Sequence, residues 1–130
     1  FYHSDAVLHP VPDTYFERTA DEALRSDVYA EIFLFECENE AAGYGLIAKT
    51  YSQEAGGMVW WIEEVYVREA FRSKGIGREF FAYLDKVKGS AVTRMRLEVE
   101  EDNTRAVALY KKLGYKPLEY AQMIKDAPLK

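Results

Sequence analysis

The amino-acid sequence predicts an α/β fold in which helices pack on one mixed β-sheet. Three strand-like segments separated by short turns come first and indicate a meander. Strand and helix patterns then alternate, which is typical of crossover connections within a sheet. With 130 residues, of which 48% are hydrophobic, the chain can bury one core. We therefore expect a single domain over residues 1–130.

The first half of the pattern is one helix followed by the meander. Phe16, Ala20 and Leu24 recur at helical spacing and predict a helix over residues 13–26. Segments rich in aromatic and β-branched residues follow, and a turn at residues 40–43 separates the first two of them. The predicted strands cover residues 29–38, 44–52 and 58–67.

The second half alternates between helix and strand. Apolar residues at steps of three and four predict a helix over residues 75–88. Strict alternation of apolar and polar residues predicts a strand over residues 93–99. A capping residue among 102–104 begins another helix, which Gly114 ends. Residues 116–124 then predict a last strand.

Composition and charge exclude several classes of function. The net charge of −5 argues against nucleic acid as a partner, because phosphate contacts need clustered basic residues. No apolar run reaches the roughly 20 residues of a membrane span, and no leader pattern is visible, so we expect a cytoplasmic protein without membrane contact. The single cysteine, Cys37, excludes a multi-cysteine zinc site, and we expect no metal. We interpret Cys37 as a small packing residue rather than a nucleophile.

The charges are unevenly distributed along the chain. Between Arg68 and Arg78 lie four basic residues and one acid, and between Glu98 and Asp102 lie four acids and no base. An anion site beside a cation site would produce this pattern, and so would two solvated surface patches. Charge alone leaves both interpretations open.

A basic loop with two glycines connects the third strand to the next helix, with the sequence Arg72-Ser73-Lys74-Gly75-Ile76-Gly77-Arg78. A helix N-terminus presents unpaired amides and the positive end of the helix dipole. Gly75 and Gly77 lack a Cβ, so a phosphate group can approach the backbone. A diphosphate is therefore a natural ligand, although a plain turn with surface charges would share these residues. A dinucleotide fingerprint would need a third glycine where Phe80 stands, and the P-loop pattern is also absent.

Two motifs at the proper separation resemble the GCN5-related N-acetyltransferase (GNAT) superfamily. Arg72-x-x-Gly75-x-Gly77, directly after the strand that ends in Ile62-Glu63-Glu64-Val65-Tyr66-Val67, is similar to the family's acetyl-CoA motif. A later block is similar to the family's asparagine that opens a helix ending in Tyr-x-x-x-Gly-Phe/Tyr. The residues of this block are Asn103, Ala106, Leu109, Tyr110, Leu113, Gly114 and Tyr115.

The resemblance implies acetyl-CoA as the cosubstrate and names the residues that would hold it. Backbone amides of the loop would bind the pyrophosphate, and the strand end would pair with the pantetheine arm where two strands splay apart. Asn103 would contact the pantetheine or phosphate region, cap its helix, or do both. The implied binding residues are Val65, Tyr66, Val67, Arg72, Ser73, Lys74, Gly75, Ile76, Gly77, Arg78 and Asn103.

The implied chemistry is direct attack of an amine on a thioester, which needs a base and an acid. Glu63 or Glu64 would accept the proton of the amine, directly or through water. Strict alternation would point the two carboxylates to opposite faces. We favour Glu63, which would share a face with Val65 and Val67, and a bulge in this strand would reverse that choice. Tyr110 resembles the family tyrosine that protonates the leaving thiolate, although helical spacing also fits a core aromatic.

The family fold is a mixed, mostly antiparallel sheet with helices on both faces, and it usually begins with one more strand than this chain predicts. Loss of that strand would leave the outer side of the first predicted strand (residues 29–38) without a partner. We therefore expect either an incomplete N-terminus or a neighbouring molecule that covers this side, as in a homodimer. The acceptor could be a small-molecule amine or a protein or peptide amine, and the similarity to polyamine acetyltransferases is loose. A non-catalytic acyl-CoA sensor and a purely structural domain are the alternatives.

Overall fold

A computed structural model of the chain describes residues 13–128 and divides the chain into two compact units. The first unit extends to Glu98 and the second begins at Val99. In chain order the elements are α1 (Asp13–Arg25), β1 (Ala30–Cys37), β2 (Glu40–Ser52), β3 (Gly57–Val67), a 3-10 turn (Glu69–Phe71), α2 (Ile76–Val87), β4 (Val92–Leu97) and α3 (Thr104–Lys112). Within the described range, no helix is both long and apolar enough to cross a membrane.

The strands form one four-stranded sheet in the order β1-β2-β3-β4. β1 pairs antiparallel with β2, β2 pairs antiparallel with β3, and β3 pairs parallel with β4. The parallel pair follows from the crossover through α2, which returns the chain to the same end of the sheet. The α/β class and the mixed, mostly antiparallel sheet are therefore confirmed. The expectation about a missing first strand concerns residues 1–12, which lie outside the described residues.

The first hairpin turns two residues earlier than the sequence predicts. Cys37 pairs with Glu40, and the turn consists of Glu38 and Asn39, whose φ angles are 53° and 65°. A two-residue turn with both residues in the left-handed region matches the twist of the flanking strands. The predicted turn at residues 40–43 is wrong, because Gly43 lies inside β2, where a Cβ would come within 2.0 Å of the Tyr66 carbonyl oxygen.

Helix α2 packs on the sheet through Phe80, which is 4% exposed. Its ring lies over β1, with centroids 5.5 Å from Phe33 and 5.0 Å from Phe35. The same ring fills the space beside Gly45 on β2, since a Cβ on Gly45 would stand 2.4 Å from it. Leu84, which is fully buried, continues this apolar stripe, as the helical spacing predicts.

The predicted last strand at residues 116–124 is wrong. Residues 115–128 contain no helix or strand, and the apolar side chains of Leu118, Tyr120, Met123 and Ile124 are exposed. A strand exists only where a neighbouring strand pairs with its backbone. The ladders of the described sheet involve β1 to β4 alone, so the apolar pattern here has no ladder to join.

Gly45→Ala should destabilise the protein by about 1–3 kcal/mol, because the added methyl group overlaps the buried Phe80 ring. Urea denaturation followed by circular dichroism measures the change. Gly77→Ala is the control, since a Cβ there meets nothing within 4 Å and alanine favours the helix. Equal unfolding midpoints for Gly45→Ala and the parent protein would contradict this packing.

Candidate functional site

A β-bulge interrupts β3 at Glu63. Leu46 pairs with Glu64, whereas its neighbour Ile47 pairs with Ile62, so Glu63 is an extra residue without a partner on β2. Ile62 and Glu64 consequently lie on opposite faces of the sheet, although strict alternation would place them on the same face. The bulge therefore removes the reason for which the sequence favours Glu63, since strict alternation does not hold in this strand, and the choice between the two carboxylates depends on their environments.

The pairing between β3 and β4 ends at Ile62, the residue directly before the bulge. Their parallel pairing runs from Met58 with Val92 to Ile62 with Leu97, and β4 ends at Leu97 while β3 continues to Val67. Within the first unit, no described strand pairs with residues 63–67 on the β4 side. This side of β3, which we call the open edge, presents backbone groups without a strand partner.

The backbone groups of Val65 and Val67 point to the open edge. The Arg68 N–H donates to the carbonyl of Ala42 on β2 at 2.7 Å. In an antiparallel ladder, every second residue directs its N–H and C=O groups toward the neighbouring strand. Glu64 and Tyr66 therefore bond to β2, and the residues between them face away from it. Val67 fits this pattern, because its carbonyl accepts a hydrogen bond from Arg72 Nε at 2.8 Å.

The loop after β3 leads into the N-terminus of α2. Ser73 and Gly75 have φ angles of 65° and 81°, and Gly75 is the N-cap residue. The first amides of a helix have no partner within the helix, so those of α2 are the groups that the basic-loop motif would offer to an anion. A Cβ on Gly75 or Gly77 would meet nothing within 4 Å. The backbone here is open to a ligand of phosphate size.

The basic side chains of the loop are exposed, and two of them contact neighbouring groups. The Arg72 guanidinium lies 5.9 Å from the Tyr66 ring centroid while Nε binds Val67, so Arg72 connects the loop to the end of β3. Lys74 Nζ lies 5.5 Å from the Phe71 ring centroid. With Arg78, which is in the first turn of α2, the loop carries three basic residues close in sequence to the start of this helix, and positive charge there favours an anion.

The two glutamates of β3 differ in environment. Glu64 is 3% exposed; burial raises the pKa of its carboxyl, while a hydrogen bond from Tyr44 acts in the opposite direction. Within the described residues, Glu64 Oε2 has no hydrogen-bond partner. Glu63 is exposed, yet neighbouring atoms shield its carboxyl from part of the solvent and raise the pKa of this group. The negative charges of Glu98 and Glu64 raise it further.

The remaining predicted residues lie in the second unit. Asn103 is the N-cap of α3, because its Oδ1 accepts a hydrogen bond from the Ala106 N–H at 3.2 Å. Gly114, with φ 97°, follows the C-terminal end of α3, as predicted. Tyr110 is half-buried, and burial raises the pKa of its hydroxyl. Its ring meets that of Tyr115 edge-on, with 6.0 Å between centroids.

The sequence does not reveal the role of Tyr44: it offers Tyr44, Tyr51, Trp60, Trp61 and Tyr66 together as aromatic residues that either line a pocket or belong to the core. In the structure these aromatics divide: Trp60 is 9% exposed and belongs to the core, whereas Tyr51 is 71% exposed. Tyr44 alone of the group contacts a buried carboxylate. Only the register between β2 and β3 brings the two side chains together, and no local pattern encodes that register.

Comparison with known proteins agrees with this arrangement. A sequence model of the Acetyltransferase (GNAT) family matches residues 2–115. The chain belongs to this family, and it is an acetyltransferase. The resemblance that the two motifs indicate is thereby confirmed.

The relatives include both sequences and solved structures. The chain is 30% identical over 119 residues to thialysine N-epsilon-acetyltransferase from Bos taurus, covering 81% of this chain and 69% of the relative. A possible acetyltransferase from Clostridium difficile 630 superposes with a TM-score of 0.79 at 21% identity, over 93% of this chain and 81% of that one. AAC(6')-Iy, solved with the bisubstrate analogue CoA-S-monomethyl-acetylneamine, has a TM-score of 0.73 at 18% identity, over 90% and 82%. The two structures share the fold.

Gly77→Asp should abolish the rise in melting temperature that acetyl-CoA produces, because a carboxylate at the first turn of α2 repels phosphate. Without ligand the variant should melt no lower than the parent, since an acidic residue near a helix N-terminus is favourable. Differential scanning fluorimetry at millimolar acetyl-CoA measures both effects. Gly77→Ala is the matched control and should keep more of the ligand-induced rise. A full rise in Gly77→Asp would argue against phosphate binding at this loop.

Proposed function

We propose that the protein transfers the acetyl group of acetyl-CoA directly to a primary amine, at the open edge of β3. The observation that carries this proposal is the end of the β3–β4 pairing at Ile62. The backbone of Val65 and the N–H of Val67 are left without a strand partner on this side, while the Val67 carbonyl accepts a hydrogen bond from Arg72. The basic loop and the N-terminus of α2 follow at the same end of β3. One strand thus connects a backbone hydrogen-bonding edge to an anion-binding helix end.

The residues present fit acetyl-CoA in this arrangement. The amides of the loop and of the first turn of α2 bind the pyrophosphate, and Ser73 and Ile76 contribute through their backbone. Val65 and Val67 pair with the pantetheine arm. Tyr66 contributes through its ring and its contact with Arg72, because its backbone bonds to β2. Asn103 contacts the cosubstrate through its side-chain amide nitrogen, since its oxygen caps α3.

Glu63 is the general base of the proposed reaction. An alkylammonium group has a pKa near ~10.4, so only about one in a thousand is neutral at pH 7, and a base must remove the proton. Glu63 is exposed to solvent, although neighbouring atoms partly shield its carboxyl. This shielding and two negative neighbours raise its pKa, which makes Glu63 a better proton acceptor. Glu64 is buried and already accepts a hydrogen bond from Tyr44, and it is the less accessible of the two.

Tyr110 is the general acid of the proposed reaction. As the new C–N bond forms and the C–S bond breaks, the sulfur leaves as a thiolate, and the Tyr110 hydroxyl supplies its proton. Burial raises the pKa of Tyr110, so the hydroxyl remains protonated at neutral pH and can act as a donor. Glu63 takes the first proton of the ammonium group and later releases it to solvent. After the attack the nitrogen loses its second proton, which restores the Tyr110 hydroxyl, so the net products are the amide, the thiol and one proton.

The acceptor is a cationic amine. Glu63, Glu64 and Glu98 place negative charge at the start of the open edge, and the whole chain carries a net charge of −5, both of which attract a cation. Relatives with 30% identity are named for acetylation of thialysine, a lysine analogue. A small amine of this chemistry is the first candidate for the present chain.

A thiol-release assay with acetyl-CoA and a panel of amines tests the proposal. The panel contains lysine and thialysine, linear diamines, an aminoglycoside and a peptide with a free N-terminus. Release of one thiol for each acetylated amine, identified by mass spectrometry, is the expected result. Binding of acetyl-CoA without thiol release for any amine would favour a non-catalytic sensor instead.

Glu63→Gln should lower kcat by about a hundredfold or more, as expected for a lost general base. In the parent enzyme kcat should fall as pH falls through the pKa of Glu63, at a pH above that of an ordinary glutamate because this pKa is raised. The variant should lose that acidic limb. Glu54→Gln, in the turn at the opposite end of β3, is the matched control. An unchanged kcat–pH profile in Glu63→Gln would assign the base elsewhere.

Tyr110→Phe should lower kcat by about tenfold or more, because the thiolate then leaves without a proton donor. The loss should shrink with an acyl thioester whose leaving thiol has a lower pKa, since such a thiol needs less protonation. Tyr120→Phe, an exposed tyrosine of the second unit, is the control. Equal kcat values for Tyr110→Phe and the parent enzyme would remove Tyr110 from the mechanism.

A further inference from the structure

Tyr44 and Glu64 lie next to each other on one face of the sheet. Leu46 pairs with Glu64 and Tyr44 pairs with Tyr66, so Tyr44 and Glu64 are diagonal neighbours on adjacent strands. The rings of Tyr44 and Tyr66 are 5.8 Å apart between centroids. Tyr44 is thereby held where its hydroxyl can donate a hydrogen bond to the Glu64 carboxylate.

Glu64 is a buried carboxylate with few partners. It is 3% exposed, and its Oε2 has no donor among the described residues. An isolated buried charge is costly, and such a group tends to take up a proton instead. The hydrogen bond from Tyr44 favours the ionised form. Among the described residues of the first unit, Tyr44 is the side chain that supplies such a bond.

The bulge brings this buried charge close to Glu63. Because Glu63 is the inserted residue, Glu64 follows it on the face that Tyr44 occupies. The charged groups that act on Glu63 are Glu98, at the end of β4, and Glu64 on its own strand, and both raise its pKa. The basicity of Glu63 therefore depends on whether Glu64 is ionised.

We propose that Tyr44 and Glu64 are positioning residues for the general base: Tyr44 keeps the buried Glu64 carboxylate ionised beside Glu63, and the Glu64 charge strengthens Glu63 as a proton acceptor. This inference rests on the proposed role of Glu63 in catalysis. Neither Tyr44 nor Glu64 touches the reacting atoms in this scheme. Their effect is on the pH at which Glu63 gains its proton.

The test compares Tyr44→Phe and Glu64→Gln with the parent enzyme. Glu64→Gln removes the charge while keeping the shape of the side chain. Tyr44→Phe removes the donor, so Glu64 takes up its proton at a higher pH than in the parent enzyme. Both variants should move the acidic limb of kcat to lower pH by about half a unit or more. Tyr51→Phe, an exposed tyrosine on the same strand, should leave the limb in place.

A second measurement separates this inference from the proposed function. The carboxyl carbon of Glu63, followed by NMR as pH is varied, reports its pKa without any reaction. A downward shift of that pKa in both variants supports the coupling, and an unchanged value overturns it. If Glu63 titrates at lower pH in the variants while the kcat limb stays in place, the coupling holds and Glu63 is not the base. Melting temperatures show whether either substitution has merely loosened the fold.

Discussion

The contact between Phe80 and Gly45 determines where helix α2 packs along the sheet. Gly45 has no side chain, and the Phe80 ring occupies the space where one would be. Gly45 pairs with Val65. Helix α2 therefore packs on the sheet next to Val65, whose backbone faces the open edge. The start of α2 is consequently held near the end of β3. A bulkier residue at position 45 would push the helix, and with it the loop amides, away from the strand.

The bulge at Glu63 is the second feature of β3 that shapes the candidate site. It interrupts the pairing with β2 for one residue. It lies directly after Ile62, where the ladder between β3 and β4 ends. One irregularity thus changes the face of Glu64, leaves Glu63 exposed and precedes the open edge. Bulges often redirect side chains beside functional sites because they combine a bend with an unpaired residue. Here the redirected side chains are the carboxylates that the chemistry would need.

In the first unit, negative and positive side chains lie at different positions along β3 and the loop that follows it. Carboxylates gather at the bulge, where β4 ends, and basic side chains gather at the loop after Val67. Only a few residues of strand separate the two regions, so an anionic cosubstrate and a cationic acceptor would be drawn to different parts of one edge. This arrangement favours the anion site beside a cation site over two unrelated surface patches.

Residues that are close together in the sequence predicted much of the fold. The stripe that includes Phe80 predicted α2, the glycine pattern predicted a loop that leads into this helix, and a cap among residues 102–104 together with Gly114 marked the ends of α3. Each of these features depends on residues within one or two turns of each other, so a linear pattern suffices. The tertiary structure alone decided which faces Glu63 and Glu64 occupy, where the first hairpin turns, that Tyr44 reaches Glu64, and that residues 116–124 form no strand. These outcomes depend on register and pairing between distant segments, and such pairing is settled by the whole sheet rather than by any local preference.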